Sequence, residues 1–203
     1  MKIRNACFED IKHIVNLWNE EVASLGFYQP LNYETFVEKF TKDVDFSYDG
    51  VFVAYENEEL VGYVMGFIRS AYAKNPDNPG CLNAIVVKKA YRKQGIGSAL
   101  LKKVEEFFKV SGRNFVQAYN YLPLCYEWYI PNTDNHDHPC APGIRVNSNE
   151  YFFYSHKGYE PYNYQDAFHL DLANYELSSD IKTILEKNEK DGIVIELYDP
   201  KKH

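Results

Sequence analysis

The chain has 203 residues and a net charge of -7, with 45% hydrophobic, 25% charged and 16% aromatic residues. This composition is typical of an ordinary globular protein of one domain. The acidic balance argues against nucleic acid as a partner, because neutralising phosphates requires clustered Lys and Arg. No apolar run reaches membrane length, and Met1 leads straight into a predicted strand rather than a signal peptide. We therefore expect a cytoplasmic protein that binds no membrane.

The first part of the chain alternates between helical and strand periodicity. An aromatic loop between two predicted helices, which includes Phe27 and Tyr28, either borders a substrate or covers the core. Asn32, after this loop, is the expected N-cap of the second helix. The predicted elements are a strand at 3–6, helices at 11–22 and 33–40, and a hairpin of strands at 51–55 and 60–70.

The most informative stretch is residues 82–110. Its apolar run at 84–87 predicts a strand buried on both faces, and an amphipathic helix is predicted over 96–108. Gly95 and Gly97 in the turn between them let the backbone approach a ligand closely, and the first N–H groups of the helix point into that turn. Because these donors and the helix dipole favour negative charge, the turn is predicted to bind a phosphate or pyrophosphate.

The glycine spacing distinguishes between phosphate-binding turns. Leu100 stands where a dinucleotide fingerprint has its third glycine, and Gly97 is followed by Ser98-Ala99 rather than by Lys and Ser or Thr as in a P-loop. The pattern Arg/Gln-x-x-Gly-x-Gly between a strand and a helix resembles the acetyl-CoA signature of the GNAT family of N-acetyltransferases. The resemblance implies an α/β fold with a mixed, mostly antiparallel central sheet flanked by helices. The alternative is a glycine-rich turn that binds no ligand.

The second half of the chain is less regular. Residues 121–146 lack periodicity and contain several Pro and Asn residues, and a loop of this length in a compact domain is usually functional or mobile. The tail at 160–203 is predicted to continue a single domain that spans residues 1–203. The predicted elements are a strand at 115–119, a short helix at 150–154, a strand at 162–172, a helix capped by Ser178 and a strand at 193–198.

A second signature of the GNAT family occurs around the short helix. Asn147 precedes Tyr154 by seven residues, and a Gly-Tyr pair follows at 158–159 with the family's spacing. Seven residues make two helical turns, so the two side chains would share one face of the helix. Glu150 stands where the family usually has alanine. The two signatures occur in the expected order, and the resemblance covers about the first 165 residues.

The resemblance implies a set of contacts with acetyl-CoA, the expected co-substrate. Asn147 would hydrogen-bond the pantetheine arm, and Tyr154 would face the sulfur as the catalytic residue that donates a proton to the leaving thiolate. The alternatives are a helix cap for Asn147 and simple packing for Tyr154. Ile85, Val86 and Val87 would lie along the arm as a neighbouring strand, and the pyrophosphate would contact Arg92, Lys93, Gln94, Gly95, Ile96, Gly97 and Ser98.

The general base is open, because the strand at 84–87 is preceded by Asn83 and carries no carboxylate. A backbone-held water is one alternative, and an amine of low pKa needs no base. Side chains of the long loop are the others: Glu127, Asp134, His136, Asp137 and His138. The candidate acceptor contacts are Phe27, Tyr28, Asn83, Tyr119 and Glu127.

The long loop also contains potential metal ligands. His136, His138, Cys125 and Cys140 could supply ligands, but their spacing is not one that zinc sites ordinarily use. We therefore expect no metal.

The sequence thus predicts an N-acetyltransferase that moves an acetyl group from acetyl-CoA to a primary amine of a small molecule or peptide by direct attack. The alternatives are a non-catalytic CoA-binding sensor and an acyltransferase that uses a longer acyl-CoA. Polyamines, aminoglycosides, amino acids and a protein N-terminus fit equally well as acceptors. The oligomeric state is open, with a homodimer as one outcome.

Overall fold

The computed structural model describes residues 1–72, 77–119, 124–130, 133, 137–138, 140–141, 143–166, 173, 175–195 and 201. The chain divides into two compact units, Met1–Gln165 and Asp166–His203. That the tail at 160–203 belongs to the same domain as the rest of the chain stays a prediction.

The first unit is built on a five-stranded sheet with the strand order β1-β2-β3-β4-β5. All neighbours are antiparallel except β4 and β5, which are parallel. The prediction of a mixed, mostly antiparallel sheet is therefore confirmed. The strands are β1 (Lys2–Asn5), β2 (Val51–Glu56), β3 (Glu59–Phe67), β4 (Gly80–Val87) and β5 (Val116–Ala118).

Helices cover both faces of this sheet. The predicted helices at the start of the chain, after β4 and around residue 150 are all present. Asn32 caps the second helix by accepting the Thr35 N–H at 3.1 Å. A π-helical segment, Val37–Thr41, extends that second helix. The helices of the first unit are α1 (Ile11–Glu21), α2 (Tyr33–Phe36), α3 (Ile96–Val110) and α4 (Asn149–His156).

The alternating side chains of β2 show how a buried cluster forms on each face of the sheet. Val51 and Val53 belong to one buried cluster, with the apolar residues of α1 and α2, whereas Phe52 and Ala54 belong to a second cluster with α3 and α4. This follows from the two-residue period of a strand, which sends successive side chains to opposite faces. The sheet is therefore the middle layer of three.

The α3 helix lies very close to the sheet. A Cβ on Gly66 would lie 2.5 Å from Cζ of Phe108, and one on Gly80 would lie 2.4 Å from Cγ of the same ring. Glycine at these two strand positions therefore makes room for Phe108, which packs directly against the sheet near the C-terminus of α3.

The β4–β5 pair is the feature of the sheet that positions the site. The parallel register covers only Gly80–Leu82 of β4 against Val116–Ala118 of β5. Beyond Leu82 the two strands diverge, and within the described residues the rest of β4 has no strand neighbour on that edge. A wedge-shaped opening between β4 and β5 results.

Two expectations for the second half of the chain need correction. The long loop is not wholly irregular, because it contains a two-stranded antiparallel ribbon, β6 (Trp128–Tyr129) and β7 (Asp137–His138). Such short strands carry no period of their own, so the sequence could not indicate them.

In the second unit, the helix predicted after Ser178 is confirmed as α5 (Ser179–Lys190), and the Ser178 side chain accepts the Ile181 N–H. Residues 162–166 and 193–195 form no strand, contrary to expectation, and the remainder of both predicted strands lies outside the described residues. None of the helices in the described part of the chain is long and apolar enough to cross a bilayer.

Candidate active site

A cleft of about 450 Å³ opens where β4 and β5 diverge. Side chains from α1, the loop after it, both strands and α4 form its walls. The residues that line it are Trp18, Val22, Tyr28, Leu82, Asn83, Ala84, Ile85, Val86, Ala118, Tyr119, Tyr126, Gly143, Ile144, Glu150 and Tyr154.

One wall of the cleft is aromatic. The rings of Trp18 and Tyr126 stack with centroids 3.9 Å apart, and Tyr28 meets Trp18 edge-on at 5.3 Å. The Trp18 indole N–H donates to Gln29 O at 3.2 Å, and the Tyr28 hydroxyl donates to Gly143 O at 3.3 Å. These contacts hold the three rings in fixed orientations along the cleft.

Asn83 links β4 to the loop after β5. Its amide donates to Leu124 O at 2.8 Å, and its side-chain oxygen accepts the Tyr126 hydroxyl at 2.8 Å. The Asn83 side chain is thus committed to positioning Tyr126, so its contact with an acceptor would be made from a fixed orientation.

The α4 helix places two polar side chains in the cleft. Ser148 caps the helix by accepting the Tyr151 N–H at 3.1 Å. Glu150 and Tyr154 are four residues apart, and at 3.6 residues per turn they lie on one face, which is the face that lines the cleft. Tyr154 is only 5% exposed, and its ring packs against Tyr159 at 5.3 Å.

Burial changes the acidity of both groups. Desolvation raises the pKa of Glu150 to about 7, because the charged carboxylate loses hydration in the cleft. Desolvation, and then the nearby Glu150 charge, raise the pKa of Tyr154 well above its ordinary value. The Tyr154 hydroxyl is therefore protonated at neutral pH and able to donate.

The turn before α3 has the backbone geometry of an anion site. Gly95 has φ +86°, and Lys93 has φ +61°, so the chain passes twice through the left-handed region within three residues. The first α-helical bond is made by the Ala99 N–H to Gly95 O at 3.0 Å. The N–H groups of residues 95–98 precede that bond and have no partner within the helix.

Arg92, at the start of this turn, is already engaged. Its Nη2 donates to Glu21 Oε2 at 2.5 Å, and its Nε donates to Val87 O at 2.8 Å. The side chain thereby ties the turn to α1 and to the end of β4. A phosphate here would be held mainly by backbone N–H groups.

The open edge of β4 presents backbone groups to the cleft. The Lys88 N–H donates to Val61 O of β3 at 2.8 Å, so the backbone of Lys88 faces β3. Because hydrogen-bonding direction alternates along an antiparallel strand, Val86 also faces β3, whereas Ile85 and Val87 face the diverging side.

The turn, the strand end and α4 meet at one point. A Cβ on Gly97 would lie 3.3 Å from the Phe153 ring and 3.7 Å from Val87 Cγ2. Phe153 is next to Tyr154, which lines the cleft. The anion turn, residues 92–98, therefore adjoins β4 and α4, two of the elements that line the cleft.

The predicted site residues divide into two groups. Ile85, Val86, Tyr154, Tyr28, Asn83 and Tyr119 line the cleft, and their contacts with cofactor and acceptor stay predictions. Phe27 lies outside it, packed 5.2 Å from the Trp128 ring, and Glu127 is an exposed residue whose carbonyl accepts the Gln29 N–H.

Asn147 is placed differently from the sequence prediction. It lies one residue before the cap of α4, with φ +62°, so it is not part of the helix. The argument that two helical turns bring Asn147 and Tyr154 to one face is therefore wrong, because the helical period begins only at Asn149. Its contact with the pantetheine arm stays a prediction.

The proposed bases of the long loop do not reach the cleft where they are described. Asp137 accepts the Gln29 side-chain N–H at 2.7 Å on the surface, and His138 Nδ1 lies 3.0 Å from Cys140 O. Asp134 and His136 lie outside the described residues. Among the described residues, no group of three or more His, Cys, Asp or Glu side chains is arranged to hold a metal ion.

The sequence prediction missed Glu150, Trp18 and Tyr126 as cleft residues. In the sequence, Glu150 stands out only because it replaces an alanine that the family usually has there. Its position four residues before Tyr154 was the signal that could have identified it, since that spacing puts both on one helix face.

Comparison with known proteins identifies the family. The model of the Acetyltransferase (GNAT) family matches residues 11–121. The uncharacterized N-acetyltransferase YuaI of Bacillus subtilis (strain 168) is 31% identical over 157 residues, which cover 71% of this chain and 87% of that protein.

Two solved structures share the fold. A transcriptional regulator from Bacillus halodurans C-125 superposes with a TM-score of 0.54 at 20% identity, over 83% of this chain and 99% of that one. The second is AAC(6')-Iy in complex with the bisubstrate analog CoA-S-monomethyl-acetylneamine. It superposes with a TM-score of 0.55 at 13% identity, over 84% of this chain and 97% of that one. At these identities the likeness shows the fold alone. The sequence match over most of the chain, joined to a sheet that diverges beside a glycine turn, shows that this protein belongs to the GNAT family of N-acetyltransferases and is an acyltransferase.

Proposed function

We propose that the protein transfers the acetyl group of acetyl-CoA to a primary amine by direct attack. The observation that carries this proposal is the surface that β4 offers, with the anion turn after its end, an open strand edge and a cleft that Tyr154 lines. A thioester carried by a long diphosphate-bearing arm fits such a surface, because each part of it meets a suitable group.

The turn suits the diphosphate. Backbone N–H groups at 95–98 have no partner within α3, and the positive end of the helix dipole lies there. Lys93 and Gln94 are exposed beside these groups and can add contacts from their side chains.

The open edge of β4 suits the arm. The backbone groups of Ile85 and Val87 face the diverging side, where amides of the arm can pair with them as an added strand. The carbonyl oxygen of Val87 already accepts a hydrogen bond from the Arg92 side chain. The arm would therefore pair with the N–H of Val87 and with the N–H and carbonyl of Ile85.

Tyr154 would supply the proton for the leaving sulfur. Its pKa is raised by burial, so the hydroxyl keeps its proton until a thiolate forms nearby. Acetyl-CoA supplies an activated acyl group, whereas the protein positions it, excludes water with the aromatic wall and delivers this proton.

The cysteines support a reducing compartment. Cys7, Cys81 and Cys140 are free thiols, and we therefore propose the cytoplasm as the location.

A direct test combines calorimetric titration of CoA and acetyl-CoA with a thiol-release assay over a panel of amines. We expect binding of both ligands and thiol release that depends on the amine. Acyl-CoAs of increasing chain length in the same assay decide whether acetyl is the preferred group. Absence of binding at millimolar ligand would exclude the proposal.

A further inference from the structure

We propose that Glu150 receives the acceptor amine as an ammonium ion and takes its proton before the amine attacks. The inference rests on the proposed acetyl transfer and extends it by naming the group that binds and deprotonates the acceptor. It also defines the acceptor's chemical class as an aliphatic primary amine without a carboxylate beside it.

The position of Glu150 in the cleft is the first argument. The residue lies in the first turn of α4, one turn before Tyr154, and both side chains line the cleft against the β4 edge. An amine between them would have a proton acceptor on one side and the thioester, whose sulfur Tyr154 would face, on the other.

The surroundings of Glu150 favour a cation. Four tyrosines from different parts of the chain interact electrostatically with Glu150. They are Tyr28 after α1, Tyr63 on β3, Tyr126 before β6 and Tyr154 on α4. None of them carries positive charge. Within the described part of the chain, the Glu150 carboxylate makes no hydrogen bond or ion pair.

A half-buried carboxylate without a partner costs free energy, so a ligand is the natural source of the missing positive charge. Trp18, Tyr28 and Tyr126 also line the cleft, and aromatic rings attract ammonium groups. Burial raises the pKa of Glu150 to about 7, which makes its basicity suited to accepting a proton at neutral pH.

A purely structural role explains the position less well. Carboxylates in the first turn of a helix stabilise it through the helix dipole, and Glu34 does so at the same position of α2, two residues after the cap Asn32. Glu34, however, is exposed, whereas Glu150 points into the cleft. The two residues therefore form a matched pair for an experiment.

The chemical step balances without any further reactant. The Glu150 carboxylate takes one proton from the ammonium group and leaves a neutral amine. The amine nitrogen forms a bond to the thioester carbonyl carbon, and the carbon–sulfur bond breaks with its electron pair on sulfur. A second amine proton reaches sulfur by way of the Tyr154 hydroxyl, which is restored. Glu150 then releases its proton to solvent.

The lining also restricts the acceptor. The described residues that line the cleft include Glu150 but no Lys, Arg or His. A free α-amino acid would bring its carboxylate next to that of Glu150 with no cation to compensate. An alkyl ammonium group meets the aromatic wall and one negative charge instead.

Binding and kinetics together test this inference. Amine affinity is measured by titration into the CoA-saturated protein, for pentylamine and for norleucine, which differ by one carboxylate. We expect pentylamine to bind at least tenfold more tightly than norleucine, and Glu150→Gln to remove most of that affinity. Glu34→Gln is the control and should bind as the unmodified protein does, and CoA affinity should be unchanged in both variants.

The pH dependence of thiol release supplies the second readout. For the unmodified protein, kcat/KM should rise as pH passes through about 7, the pKa of Glu150, and level off above it, where the carboxylate is ionised. In Glu150→Gln it should be about 100-fold lower at pH 7 and keep rising through pH 9, because only amine already neutral in solution can react.

The outcomes separate the two proposals. Equal pentylamine affinity in Glu150→Gln and the unmodified protein, or an unchanged pH profile, overturns the role of Glu150. Absence of thiol release with every amine, while the affinity difference persists, overturns acetyl transfer and leaves Glu150 as an ammonium-binding group.

Discussion

Glu150 is a residue whose charge opposes folding. Its pKa is raised from 4.5 to about 7 in the folded protein, so between these pH values the folded state binds more protons than the unfolded chain. Stability contributed by the protonated form is complete below about pH 4.5 and is lost as pH rises through 7. Above that pH the ionised carboxylate destabilises the fold, which is consistent with a residue retained for chemistry.

We predict that Glu150→Gln increases the free energy of unfolding by about 2 kcal/mol at pH 8, because it removes a desolvated charge and keeps the side-chain volume. The increase should be much smaller at pH 4.5, where the carboxyl group is protonated in the folded protein and about half protonated in the unfolded chain. Urea unfolding at the two pH values measures this, with Glu34→Gln as the control. A gain of the same size at both pH values would contradict the pKa assignment.

Tyr154 is expected to act in turnover rather than in cofactor binding. Tyr154→Phe keeps the ring in its packed position against Tyr159 and removes the hydroxyl that donates to sulfur. We predict that kcat falls about 100-fold, the ordinary size of a general-acid contribution, while CoA affinity changes less than twofold. Tyr151→Phe, on the same helix but outside the cleft, should leave both unchanged. An unaltered kcat in Tyr154→Phe would remove the hydroxyl from the mechanism.

At the residue scale, the sequence predicted what a local pattern can encode. Gly95, Gly97 and Tyr154 stand in signatures whose spacing reflects a turn or a helix, and they lie where those patterns imply. Trp18 and Tyr126 could not be predicted as cleft residues, because their stacking depends on how α1 and the loop after β5 pack against each other.

At the scale of elements, the two ends of α3 offer a controlled comparison. Gly95 before the helix has φ +86°, Gly112 after it has φ +75°, and a Cβ on either would meet nothing within 4 Å. Alanine at either position therefore introduces similar backbone strain, of about 1 kcal/mol, without a clash. Only the strain at Gly95 would reorient the N–H groups of the anion turn.

We predict that Gly95→Ala weakens CoA binding at least tenfold, whereas Gly112→Ala leaves it within twofold of the unmodified value. Thermal unfolding should show comparable loss of stability in both variants, which separates a local effect on the turn from general weakening. Calorimetric titration measures the affinities. Equal CoA binding by the two variants would mean that the turn before α3 does not hold the diphosphate.

The sequence predicted the elements that are long enough to span several periods of their hydrophobic pattern, and it did not predict the shorter ones. The β2–β3 hairpin and α3 each span several periods of their pattern, and both are present. The β6–β7 ribbon has two residues in each strand, so its pairing depends on neighbours such as Tyr28, which bridges to Trp128. The cap of α4 was misassigned by one residue because Asn and Ser are both good caps.

For the molecule as a whole, the buried clusters show which part of the chain can fold independently. Both clusters, with the residues packed against them, are made entirely of residues between Ile3 and Tyr159. The second unit contributes α5, whose apolar residues Ile181, Ile184 and Leu185 are 36–53% exposed. The cores that support the cleft and the anion turn are therefore complete within the first unit.

We predict that a chain ending at Gln165 retains the CoA affinity of the full chain within twofold and loses less than about 1 kcal/mol of unfolding free energy, because no buried cluster residue is removed. A chain ending at Gly158 is the matched comparison. It loses Tyr159, whose ring packs on Tyr154 and whose hydroxyl donates to Glu105 at 2.8 Å. Removing that buried aromatic should cost about 3 kcal/mol and disturb α4, and with it turnover. If truncation at Gln165 already abolished folding or CoA binding, residues 166–203 would have to be counted as part of the catalytic domain.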